Sequence, residues 1–196
     1  MDTAATYLIA AEAAIPFDEP GNSPMSLDPL HQQLATLQAK QDLHELLANY
    51  CTGVDRRDQA LLESLWWPEA TMDFGLFAGP ASQFCELITA DNPAVEMTYH
   101  FTSNVLFEID GDKARGRAYV IGMSALRGEG EATQHVAAGR YLDHYERRDG
   151  MWKFNKRLFV LDLNFNQASS AVWDSGIGAA VTRGQSSLDD IHYRFD

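Results

Sequence analysis

The sequence predicts an α+β domain, helices first and then a curved, mainly antiparallel sheet. Apolar residues recur at three- and four-residue steps between Leu30 and Val54, the signature of a helix face. From Met97 onward they alternate in four long runs, at 97–109, 114–126, 132–148 and 151–166. The turn sequences "DGDK", "RGEGE" and "DG" separate those runs, as antiparallel hairpins require.

The elements follow in order. "MDTAATYLIAAEAAIPF" carries no Lys or Arg before Lys40 and is interrupted by Glu12, so it does not read as a signal peptide. Residues 1–25 are expected to form a flexible leader, separated from the body by the Pro/Gly/Ser/Asp stretch "FDEPGNSPMSLDP". The domain is expected over 26–166. Ser26 or Asp28 can cap a long helix with Pro29 in its first turn, and Leu30, Leu34, Leu37, Leu43, Leu47, Cys51 and Val54 form its stripe, with a break expected near Ala39. A short helix at 58–66 ends before Pro68, Ala70, Met72 and Phe74 alternate as a strand, and a third helix spans 79–91, entered through Pro80. Trp66 and Trp67 read as packing where the second helix meets the sheet. Strands of this length must curl to stay compact, and helices on one face leave a concave side. The weakly periodic tail at 167–196 fits a lid, a subunit contact or a frayed end.

Composition narrows the function. A chain of 196 residues with 45% hydrophobic residues can bury one core, and a net charge of −13 repels nucleic acid and anionic membrane surfaces. Cys51 and Cys85 form neither a CxxC pair nor a Cys/His cluster, which points to a reducing, cytoplasmic setting without a metal. The fingerprints of dinucleotide, nucleotide, serine-hydrolase and zincin sites are absent. Acid–base work without a cofactor, or plain ligand binding, remains.

Several polar residues interrupt the apolar pattern. Arg157 alternates in phase with Phe159, Leu161, Leu163 and Phe165. It either snorkels or pairs with a structural carboxylate, or else clamps an anion in the cavity. His100 lies in the register opposite Tyr99, Phe101, Val105, Phe107 and Ile109, and spacing does not rank it against His135 and His144. Asp55 lies on the margin of the helical stripe, Asp58 at least as near it, and Tyr50 on the stripe itself.

Three segments, "QDLHELLANYCTGVDRRDQALLESLWWPEA" (41–70), "TYHFTSNVLFEID" (98–110) and "YLDHYERRDGMWKFNKR" (141–157), resemble in order the SnoaL-like branch of the nuclear transport factor 2-like superfamily. The resemblance covers roughly residues 39–166. It extends to hexachlorocyclohexane dehydrochlorinases, scytalone dehydratases, bile-acid 7α-dehydratases and diarylpropane lyases that release formaldehyde and a stilbene. It implies a cystatin-like cone, an α+β barrel capped by the helices. It also implies an Asp–His dyad at Asp55 and His100, a pocket arginine at Arg157 and a catalytic tyrosine at Tyr50, where the dehydrochlorinase has lysine. The dehydrochlorinase's pocket tryptophan falls on Met72 and a pocket phenylalanine on Tyr141, which disfavours chlorinated cyclohexanes and suggests an oxygenated ligand. Met72, Tyr99, Met123, His135 and Tyr141 make up the expected substrate-binding set. The implied activity is a cofactor-independent lyase acting on a small hydrophobic aromatic or polycyclic substrate, with a homo-oligomer (trimer or dimer) as the expected assembly. The superfamily also includes non-catalytic modules such as dioxygenase small subunits, so the fold alone does not assign an activity.

Overall fold

The computed structural model describes residues 27–127 and 131–195; the expected leader at 1–25 lies outside them. Helix α1 spans Leu27–Asp55, α2 Gln59–Ser64 and α3 Ala81–Thr89. The strands are β1 (Trp66–Asp73), β2 (Ala78–Pro80), β3 (Val95–Asp110), β4 (Lys113–Leu126), β5 (Thr133–Arg148) and β6 (Met151–Ala168). A short α4 (Gly176–Ala180) and a 3-10 turn at Ile191–Tyr193 follow.

Helix α1 runs unbroken through Ala39, contrary to the expected break. Ala39 is the point where the helix first meets the domain. Leu30, Leu34 and Leu37 on the overhanging half are exposed, whereas Leu43 and Leu47 are fully buried. The stripe continues along the whole helix, but only its second half has a sheet beneath it. Asp58 caps α2 by accepting the Leu61 amide at 2.9 Å. Trp66 and Trp67, placed by sequence near the second helix's end, already belong to β1. Trp66 packs on Phe154 with centroids 4.8 Å apart and planes tilted by 33°, and the Trp67 indole donates to Glu146 O.

The six strands form one open sheet in the order β2-β1-β6-β5-β4-β3, with β1 and β6 parallel and the other pairs antiparallel. Helix α1 packs on both the edge strand β3 and on β6, so the sheet wraps around it as a cone rather than closing into a barrel. The core between them is aromatic, with Tyr50, Trp66, Tyr141, Tyr145, Trp152 and Phe154 beside Leu43, Leu47 and Leu62.

Bulges decide which side chains face the core. Ala138 pairs with Leu163 but Gly139 with Leu161, so Asp162 is an extra residue in β6. The alternation that joined Arg157 to Leu163 and Phe165 is therefore broken. Arg157 and Phe159 face α1, whereas Leu163 and Phe165 turn to the outer face beside Val136, Ala138, Ile121 and Met123. That outer face leaves Phe101, Tyr119, Ile121, Leu163 and Phe165 exposed.

Candidate active site

Asp55 is the last residue of α1, where the backbone leaves the helix through Arg57 at φ 51°. Its carboxylate meets the edge strand β3. Oδ1 lies 2.6 Å from His100 Nδ1, and Oδ2 accepts the His100 amide at 2.8 Å. An edge strand has a free amide row, and here one carboxylate uses it to fix both the backbone and the ring of the same residue. Asp55 is only 6% exposed, so this pairing satisfies a desolvated charge. With Asp55 accepting from Nδ1–H, the tautomer leaves a lone pair on Nε2. The ring lies over Gly122, where an added Cβ would come within 3.3 Å of Nε2. Glycine on β4 thus makes room for the imidazole.

A cavity of about 330 Å³ opens beside the pair. Cys51 and Thr52 of α1, Tyr99, Phe101 and Thr102 of β3, and His192 of the C-terminal segment line it together with Asp55 and His100. Burial pushes the Cys51 thiol up to about 11, so it is neutral and serves as an apolar wall.

Tyr50 and Arg157 lie deeper. Arg157 is fully buried and pairs bidentately with Asp143, Nε to Oδ1 at 2.7 Å and Nη2 to Oδ2 at 2.8 Å. Tyr145 donates to the same carboxylate at 2.7 Å. Of the two readings left open by sequence, the structural carboxylate is present, and it is Asp143. The guanidinium is stacked among Tyr50, Tyr141 and Phe154, with ring centroids 4.1, 3.9 and 4.3 Å away. Its Nη1 has no hydrogen-bond partner among the described residues. Burial alone would pull Arg157 down, but the Asp143 carboxylate outweighs it and the net shift is up. Burial raises Tyr50 to about 12 against the opposing Arg157 charge, so its hydroxyl stays protonated.

The remaining expected residues divide by face. His135 lies on the face of His100, in the row Thr98, Ser124, His135 and Asn166, and its Nε2 is 3.2 Å from Thr133 Oγ1. Met72 and Tyr141 are buried in the aromatic core, and Met72 pairs in register with Arg157. Tyr99 pairs with Met123, and both side chains project from the face opposite His100. Tyr99 reaches the cavity rim at the sheet edge, whereas Met123 joins the outer apolar face and does not line this cavity. Met123, expected in the substrate-binding set, shares the face of Tyr99 and Phe101 but lies one strand further from the sheet edge. His144 likewise faces the other side, in a separate cleft with Glu108 and Arg115. Sequence reasoning missed Asp143 and the C-terminal contacts. Asp143 left a signal, a lone carboxylate in phase with Tyr141 and Tyr145.

A SnoaL-like domain model matches residues 35–158, which hold Tyr50, Asp55, His100, Asp143 and Arg157. The chain belongs to the SnoaL-like family. It is 34% identical over 131 residues to hexachlorocyclohexane dehydrochlorinase 1 of Sphingobium indicum, spanning 63% of this chain and 80% of that protein. It is 34% identical over 132 residues to the gamma-hexachlorocyclohexane dehydrochlorinase of the same species, covering 64% and 80%. The crystal structure of a type 2 hexachlorocyclohexane dehydrochlorinase superposes with a TM-score of 0.65 at 25% identity, over 74% of this chain and 99% of that one. A scytalone dehydratase-like protein of Novosphingobium aromaticivorans shares the fold at a TM-score of 0.60 and 18% identity, over 69% and 92% of the two chains. The SnoaL-like family places the chain among cone-shaped α+β proteins, and no described helix is long and apolar enough to cross a membrane.

Proposed function

We propose that the protein is a cofactor-independent lyase that carries out base-assisted elimination on a small hydrophobic, hydroxylated aromatic substrate. The observation that carries this reading is the Asp55–His100 pair, 2.6 Å apart at Oδ1 and Nδ1, beside a cavity flanked by Tyr99 and Phe101. Asp55 orients the ring and stabilises the imidazolium that forms when Nε2 takes a proton. The family and its dehydrochlorinase relatives support the same chemistry of proton removal coupled to loss of a leaving group. Tyr50, neutral, and Arg157 Nη1, unpartnered among the described residues, lie behind the cavity wall and would serve a departing or developing oxygen that reaches deeper into the cone.

The specific reaction we favour is deformylation of a phenolic diarylpropane diol. His100 passes the phenol proton to the benzylic hydroxyl, which leaves as water, and the ring becomes a quinone methide with His100 neutral again. His100 then takes the proton of the primary alcohol, whose oxygen forms the carbonyl of formaldehyde. The released carbon–carbon bond pair makes the stilbene double bond and returns the ring to a phenolate. Diol thus becomes stilbene, formaldehyde and water, with no external oxidant. Dehydration of a polyketide or steroid-like alcohol would use the same base without carbon–carbon cleavage.

Purified protein is assayed by ultraviolet absorbance and formaldehyde release on phenolic diarylpropane diols and cyclic β-hydroxy ketones, with His100→Ala alongside. Stilbene absorbance with equimolar formaldehyde, absent from a folded His100→Ala, is the expected result. Enone formation without formaldehyde would move the assignment to a dehydratase. Binding without turnover on every compound would overturn the lyase and leave a binding module.

A further inference from the structure

The C-terminal segment after β6 lies outside the stretch that matches the family, yet it returns to the dyad. Three contacts hold it on the turn that follows α1. Ser186 Oγ donates to Asp55 O at 2.8 Å, Arg56 Nε pairs with Asp190 Oδ1 at 3.5 Å, and the Tyr193 hydroxyl donates to Asp58 Oδ2 at 2.9 Å. Asp190 is the knot of the strap. It is 3% exposed and also accepts the Gln185 amide at 2.5 Å and the His192 amide at 2.8 Å. One carboxylate therefore closes the strap on itself and ties it to the residue next to Asp55. The His192 side chain that this turn presents lines the same cavity as His100.

We propose that the strap at 184–193 completes the active site, with Asp190 as the positioning residue for Asp55 and His192 as a wall that contacts the polar end of the bound substrate. Asp55 ends its helix, and although the following amides close a turn onto Thr52, Gly53 and Val54, the Asp55 carbonyl itself is met by side chains, Ser186 Oγ at 2.8 Å and Arg56 Nη1 at 3.4 Å. The strap restrains that carbonyl from outside, and a dyad held at 2.6 Å tolerates little drift. His192 is exposed on its other side, so it meets the part of a ligand nearest solvent, and a hydroxyl or phenol there can exchange a hydrogen bond with its imidazole. The substrate arm of this proposal rests on the lyase reading, whereas the positioning arm does not.

The test uses the full chain and its Asp190→Ala, Asp190→Glu and His192→Ala variants. Amide exchange at His100, whose N–H donates to Asp55 Oδ2, is compared with exchange at Phe154, whose N–H donates to Leu65 O in the core. Asp190→Ala should speed His100 exchange tenfold or more and leave Phe154 unchanged, and Asp190→Glu should restore most of the protection. On a substrate found by the screen above, Asp190→Ala should lower kcat about tenfold or more and, because Asp190 also holds the His192 amide, raise KM as well. His192→Ala should raise KM at constant kcat. Unchanged His100 exchange in a folded Asp190→Ala, or equal acceleration at Phe154, would overturn the positioning role, and an unchanged KM in His192→Ala would overturn the wall. Failure of the screen itself would count against the lyase and leave the exchange result to decide the strap.

Discussion

Asp143→Asn removes the charge that balances Arg157 while keeping the shape of the side chain. The arginine is fully buried and spends two of its donors on this carboxylate, at 2.7 and 2.8 Å. Breaking a buried pair by deleting one partner costs about 3–5 kcal/mol, because the remaining charge is stranded in a low dielectric. The Tyr50, Tyr141 and Phe154 rings hold part of that charge, which places the expected loss at the lower end, about 3 kcal/mol. For a domain of this size each kcal/mol moves Tm by about 2–4 °C, so a fall of about 6–12 °C is expected. Thermal melts by circular dichroism, with urea midpoints at unchanged slope, measure it. Removing both partners together, as Asp143→Leu with Arg157→Met, should lose less than Asp143→Asn alone. A loss under about 1 kcal/mol in Asp143→Asn, or a double variant worse than the single one, would refute the stranded-charge argument.

Gly122→Ala brings a methyl within 3.3 Å of His100 Nε2, so the ring must move by a few tenths of an ångström. Turnover should fall about tenfold or more with Tm nearly unchanged, as measured by kinetics and melts on one preparation. Gly139→Ala places a Cβ 2.1 Å from Val160 O beside the β6 bulge, which the backbone cannot absorb without breaking the register. A loss of several kcal/mol, on the order of 2–4, or failure to fold, should appear in denaturant titration. The Asp190 carboxyl feels burial pushing it up, but the Gln185 and His192 amides and the Arg56 charge outweigh that and hold it below the usual carboxylate range. Because the folded value lies below the unfolded one, near 3.9, the strap's contribution is present above about pH 4 and is lost as pH falls through the depressed value. Exchange at the Ser186–Tyr193 amides should therefore accelerate below about pH 4, and an Asp190→Asn variant should lack this step.

The tertiary structure and the sequence divide the site between them unevenly. Asp55 and His100 were within reach of sequence reading because each breaks a local pattern, one at the edge of a helical stripe and one in the minor register of a strand. Their pairing was legible only through the family resemblance, since 45 residues separate them. Met123 shares a face with Tyr99 and Phe101, but strand parity does not show how far each lies from the sheet edge where the cavity opens. Arg157 was grouped with Leu163 and Phe165 because one extra residue, Asp162, inverts every side chain beyond it without a mark in the hydrophobic pattern.

By itself the sequence determined the order of elements, the hairpin turns, the curvature and the residue types available for acid–base work. These depend on interactions between near neighbours: helical spacing, strand alternation and turn chemistry. Only the tertiary structure decided that Asp143 neutralises Arg157, that Gly122 makes room for His100, and that the aperiodic tail returns to clasp the end of α1 through Asp190. Such contacts join segments 14, 22 and 134 residues apart, where no local propensity constrains the partner and only the closure of the cone brings the groups within reach.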